Sequence, residues 1–99
     1  MSFAQSEEAA IVIETNGSIR SLTRAELRPT LQELQAAVGG YIEVIAVPFS
    51  PGTVLLVNED GLRDHNVINS IASRLGGQAI VGPAILISKS LLQAESGEE

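Results

Sequence analysis

Residues Val38–Gly61 read V-G-G-Y-I-E-V-I-A-V-P-F-S-P-G-T-V-L-L-V-N-E-D-G. Tyr41–Val47 and Thr53–Asn58 are predicted strands, because β-branched and aromatic residues suit a pleated, half-buried surface. Pro48-Phe49-Ser50-Pro51-Gly52 joins them, and Asn58-Glu59-Asp60-Gly61 has the composition of a tight turn. Side chains alternate across a strand, so the hairpin sorts into two faces whatever even slip its pairing takes. Ile42, Val44, Ala46, Val54 and Leu56 form a wholly apolar face, assigned to the core. The opposite face carries Tyr41, Glu43, Ile45, Val47, Thr53, Leu55, Val57 and Glu59. It is too aliphatic for open water and too acidic for a second core. Something is expected to cover it, and Tyr41, Glu43, Ile45, Val47, Leu55 and Val57 are read as a contact surface for a protein partner or a second copy.

Upstream of this hairpin, Ala9–Thr15 is a predicted first strand and Ser18–Leu22 a short return. Asn16-Gly17 between them signals a type I′ turn, whose central residues both need positive φ. Thr23-x-x-Glu26 and Thr30-x-x-Glu33 are successive capping boxes, separated by Pro29, which cannot donate within a continuous helix. They predict one helical turn near 24–28 and a main helix from Leu31 to Val38, ended by Gly39-Gly40. Leu27, Leu31, Leu34 and Val38 make its apolar stripe.

Downstream, Asp64 or Asn66 is the expected cap of a helix running to Leu75, with Val67, Ile68, Ile71, Ala72 and Leu75 on one side and Gly76-Gly77 at its end. Gln78–Val81 and Ala84–Ser88 are further strand candidates. Pro83 between them argues for an edge strand, a bulge or a tight turn rather than a central strand. The whole is expected to be an α+β domain over residues 9–90. Its architecture is a mainly antiparallel sheet of about four to six strands with two helices packed on one face. Residues 1–8 are expected to be a flexible N-terminus and 91–99 an acidic tail, from Leu92 either a helical remnant or disordered.

The chain has 99 residues, 44% of them apolar, enough for one small core of marginal stability. Its formal charge is −6, yet residues 9–94 hold seven acids against six Arg and Lys, a net of −1. That body has neither the basic stripe of a nucleic-acid binder nor the dense acidity of a DNA mimic. Without cysteine there is no disulfide and no thiolate metal site. With a single histidine, a usual structural zinc site is excluded in a monomer. No run approaches the roughly 20 apolar residues of a membrane span, and the acidic start, M-S-F-A-Q-S-E-E, is unlike a signal peptide. A cytoplasmic location is the default, and no membrane, nucleic-acid or cofactor partner is expected.

These motifs resemble a small family found in phages and bacteria, domain of unknown function 3846. The resemblance rests on L-Q-x-x-V-G-G-Y-I-E (Leu34–Glu43), V-N-E-D-G (Val57–Gly61), Asn66 and I-V-G-P-A-I-L-I (Ile80–Ile87), and spans about residues 9–90. It implies a fold and a phage or mobile-element setting, and no activity. The charged R-D-H of Arg63–His65 departs from the more apolar approach to Asn66 that the family pattern leads one to expect.

The richest polar cluster is Asn58, Glu59, Asp60, Asp64, His65 and Asn66. It offers oxygen ligands to a cation, a site for a small molecule, or a His–carboxylate pair for proton transfer. The same residues are what a turn and a helix cap want. With Val47 opposite Thr53, Tyr41 and Glu43 also stand near Glu59, an arrangement that can perturb a carboxylate but is common on exposed strands. Gly39-Gly40 and Gly76-Gly77 follow helices, whereas phosphate loops precede them. Arg24 and Arg28, four apart, could bind an acidic partner but read rather as charges paired with Glu26 or solvated, and no serine has a triad context. The function expected is therefore that of a non-enzymatic accessory protein acting by protein contact. The alternative is a small-molecule or metal-binding domain, or minor enzyme, sited at Asn58, Glu59, Asp60, His65 and Asn66.

Overall fold

A computed structural model of the chain describes residues 10–22, 29–64 and 67–96. The elements in order are β1 (Ile11–Ile13), β2 (Ile19–Ser21), α1 (Leu31–Val38), β3 (Ile42–Ala46), β4 (Thr53–Asn58), α2 (Gly61–Asp64), α3 (Ser70–Gly76), β5 (Ala84–Ser88) and α4 (Lys89–Ser96). The five strands form one antiparallel sheet in the order β2-β1-β5-β4-β3. The fold is α+β, as the alternation and capping signals predict. None of the described helices is long and apolar enough to cross a membrane.

The sheet is covered on both faces. On one, Leu34 and Val38 of α1 and Leu91 of α4 pack with Val12, Val54, Leu56, Ile85 and Ile87. On the other, Ala72 of α3 and Ile80 pack with Ile45, Val47, Leu55, Val57 and Ala84. The two predicted helices therefore lie on opposite faces rather than together. The physical reason is the second apolar face of the central hairpin, which required a cover and received α3. Gly76 lets that helix end approach the sheet closely: a Cβ there would lie 3.1–3.3 Å from Ile80, Leu55 and Ile45.

Helix α1 starts at its capping box. Glu33 N donates to Thr30 Oγ1 (3.1 Å) and Thr30 N to Glu33 Oε1 (2.8 Å), which satisfies two amides that a helix start leaves free. Gly39 closes the helix at φ 84°, a region costly for any residue with a Cβ. Gly40 is needed for another reason: a Cβ there would sit 3.1 Å from Asn58 Nδ2. Leu31, expected in the apolar stripe, is instead exposed. The predicted turn at 24–28, its capping box, Leu27, Arg24 and Arg28 lie outside the described residues, as does the predicted flexible N-terminus, 1–8.

Four further expectations need correction. Asn16-Gly17 does not form a two-residue I′ turn, since Asn16 does not have a positive φ. Gly17 N donates to Glu14 O and Glu14 N to Ser18 O, giving a three-residue loop with Gly17 in the left-handed position (φ 92°). Asn69, not Asp64, caps α3, so Val67 and Ile68 precede the helix and are exposed. Gln78–Val81 reduces to one bridge between Ile68 and Val81, while β5 is the central strand. Pro83 is compatible with this because it stands just before the strand and takes no ladder position. Finally, α4 runs to Ser96 with Ser88 Oγ accepting from Leu91 N and Leu91 buried. The ordered body thus extends beyond residue 90 into what composition alone marks as a tail.

Candidate functional site

The register of the central hairpin sets Ile42 opposite Asn58 and Ala46 opposite Val54. Its consequence for the proposed contact surface is decisive. Ile45, Val47, Leu55 and Val57 are all buried, none more than 8% exposed, because α3 and the segment at Ile80 lie over them. The face is self-covered and offers these four residues to no partner. Of the six, only Tyr41 and Glu43 remain exposed.

The Asn58–Asn66 loop is organised by Asn58, which is buried. Asn58 Nδ2 donates to Val38 O (3.2 Å) and Asp64 Oδ2 (3.2 Å), and its Oδ1 accepts from Asp60 N (2.7 Å). This amide ties the end of α1 to the start of α2, so Asn58 is a structural node and not a free ligand group. Arg63 donates from Nη2 to Asp60 (3.2 Å) and from Nε to Asp64 (3.2 Å). The hydrogen bond to Asp64, with the charges of Asp60 and Asp64, holds its guanidinium protonated more firmly than usual. His65 and Asn66 lie outside the described residues. Among the described residues, no group of three or more His, Asp or Glu side chains is placed to hold a metal ion.

Beside this loop is a cleft of about 340 Å³. Its floor is Ile45, Val57, Ile80 and Val81, and its rim includes Glu43, Glu59, Leu62, Arg63 and Gln78. Gly61 brings the loop against the far wall, since a Cβ there would lie 3.0 Å from Val81 Cγ2. Glu43 faces Val57 across the ladder, and Glu59 is two residues further on the same face, within about 7–8 Å of it by strand geometry. Neither carboxylate enters an ion pair among the described residues. The cleft thus joins Glu43, Ile45, Val57, Asn58, Glu59 and Asp60, and leaves out Tyr41, Val47 and Leu55. Its wall at Gln78–Val81 has no sequence signal beyond an apolar run.

The second feature is the open edge of the sheet at β3. Glu59 N donates to Tyr41 O (2.8 Å), which makes Tyr41 and Glu59 a hydrogen-bonded pair. Such pairs alternate along an antiparallel ladder, so Glu43 and Ile45 also turn their backbone groups toward β4. Those of Ile42, Val44 and Ala46 point outward, where no strand follows among the described residues. Val44 is 55% exposed, although it belongs to the face predicted to be core, and Ala46 is exposed too. Helix α1 lies over the middle of the sheet and, on β3, only Ile42 packs against that core. Tyr41 at one end of the edge is 70% exposed and Phe49 beyond the other end 96%.

Residues 7–93 match the family model described as domain of unknown function (DUF3846). No curated protein and no solved structure matches the chain.

Proposed function

The chain belongs to the domain of unknown function 3846 family, and from that premise we propose that it is a small non-enzymatic accessory protein acting by protein contact through the open edge of β3. The observation that carries this reading is an undefended edge. Sheet edges are normally blunted by Lys, Pro, bulges or a covering element, yet I-E-V-I-A across Ile42–Ala46 carries one charge, Glu43, and leaves Val44 exposed. An extended segment of a partner would add there as a further strand, its backbone reading Ile42, Val44 and Ala46 and its apolar side chains meeting Val44. The phage or mobile-element setting rests on the sequence resemblance, and a cytoplasmic place of action on the absence of a membrane-span or signal-peptide pattern in the sequence. A photo-crosslinking residue installed at Val44, and separately at Ile19 on the opposite edge, tests the reading in cells that express the protein. Stoichiometric adducts from position 44 and not from 19 are expected, and equal labelling or none refutes it.

A second reading rests on the cleft. An apolar floor beneath Glu43 and Glu59 suits a small ligand with an apolar body and a cationic group. Occupancy at 100 times the dissociation constant would stabilise the fold by about 2.7 kcal/mol. A melting temperature unmoved across a panel of aliphatic and aromatic amines, and lowered or raised by none of them in a Glu43→Gln comparison, removes this reading.

A further inference from the structure

We propose that the occupant of the β3 edge is a second copy of this chain, paired antiparallel across a two-fold axis at Val44 to make a continuous ten-stranded sheet; this deepens the contact reading above and rests on it. The outward backbone groups belong to Ile42, Val44 and Ala46, a set symmetric about Val44. Setting Val44 against Val44 of the second copy, and Ile42 against its Ala46, closes about six backbone hydrogen bonds with every outward group paired. The neighbouring symmetric registers do worse. Centring the axis on Glu43 places two carboxylates directly opposite one another, which is unfavourable. Centring it on Ile45 leaves Ile42 beyond the ladder. Glu43 thus selects the register while leaving self-pairing open.

The side chains agree with that register. Ile42, Val44 and Ala46 share a face, so the two edges join into one apolar stripe that continues the core beneath α1. Tyr41 falls opposite Val47 of the second copy. Tyr41, 70% exposed in the monomer, therefore gains cover.

The area sets the strength. An aromatic side chain buries about 150–250 Å². Tyr41, at its observed exposure, would contribute at most about 100–175 Å² per copy on that scale. With Val44 and the edge backbone, the total over both copies stays below about 1,000 Å², the range of weak, transient contacts. A reversible, concentration-dependent dimer is what such an interface gives.

Sedimentation equilibrium of the purified chain tests this, from about 1 μM to 1 mM, a span that brackets weak specific association. Beside it run Val44→Lys, with its fold checked by circular dichroism, and single-cysteine variants Val44→Cys and Ile19→Cys treated with a short bis-maleimide. The chain has no cysteine of its own, so each variant reports one position. The expected result is a mass rising toward twice the monomer and self-association weakened at least about tenfold by the opposed lysines. Covalent dimer should form from position 44 and not from 19. A wild-type chain that stays monomeric overturns the proposal, as does a folded Val44→Lys variant that associates like wild type, or equal cross-linking from the two positions. If the purified chain is monomeric while position 44 still captures a different protein in cells, the homodimer falls and the contact reading stands. If neither occurs, both fall.

Discussion

Replacing Asn69 with alanine should be among the most damaging single changes in this chain. Asn69 is wholly buried and joins three segments through one side chain. Its Nδ2 donates to Ile13 O (2.9 Å) at the end of β1 and to Gly82 O (2.8 Å) before β5, while Oδ1 accepts from Ala72 N (3.1 Å) at the start of α3. Loss of the helix cap costs about 1 kcal/mol. Each buried carbonyl deprived of its donor adds about 1–3 kcal/mol. Taking the carbonyls near the low end, because strand ladders share some of their capacity, the total is about 3–5 kcal/mol. A domain of this length holds only about 5–15 kcal/mol in all. Urea unfolding followed by circular dichroism should show the midpoint falling with little change of slope. Asn69→Asp separates the terms, since it keeps the capping oxygen, removes both donors and brings a carboxylate against two carbonyl oxygens. It should be at least as destabilising as alanine. An aspartate variant as stable as wild type, or an alanine cost below about 1.5 kcal/mol, would refute the argument that the two carbonyl bonds dominate.

Three further changes test the packing. Ile45→Glu should cost about 3 kcal/mol or more in urea unfolding, because the site is buried beneath α3 and a carboxylate there must be desolvated or the helix displaced; unchanged stability would mean that this face is open. Gly39→Ala should cost about 1–2 kcal/mol through backbone strain at φ 84° alone, read by the same assay; a neutral result would show that α1 ends otherwise. Leu91→Ala should cost about 2–5 kcal/mol, since Leu91 belongs to the core beneath α1; a cost below 1 kcal/mol, typical of exposed positions, would detach α4 from the fold.

Local signals in the sequence were reliable where the physics is local. Thr30 and Glu33 are a reciprocal pair three residues apart, and the cap forms as that spacing requires. Gly39 and Gly77 sit at the left-handed helix ends where glycine is favoured. Alternation in Tyr41–Asn58 sorts the faces correctly because a strand has no other way to place successive side chains. The failures occur where the answer depends on distant chain. Asn69 follows no capping box, and what selects it over Asp64 is the pair of carbonyls at Ile13 and Gly82, 56 and 13 residues away. Asn16-Gly17 carries the I′ signature, yet the strands meet with Glu14 opposite Ser18, and three loop residues demand a different turn. Leu91 and Leu92 look like the start of a tail because nothing near them in sequence shows the core of Leu34, Val38 and Ile87 that they join.

The same distinction explains what was visible of the site. Composition marks Asn58–Asp64 as polar and turn-forming, and the chain spends most of those groups on itself: Asn58 on Val38, Asp60 and Asp64, and Arg63 on two carboxylates. Alternation shows that the hairpin has two apolar sides but is silent on which strand ends the sheet. Strand order is set by where β5 returns, and β5 enters between β1 and β4. That insertion makes β4 interior, buries Leu55 and Val57, and leaves β3 with Val44 and Ala46 uncovered. Apolar pattern alone assigns Val44 to the core, and in one sense that is its character: it is a core-type residue at a position the monomer does not close. Glu43 on the same edge excludes one symmetric pairing and permits the other. An edge of that kind is either a hazard that selection has left in place or half of an interface, and the Val44 variants decide between them.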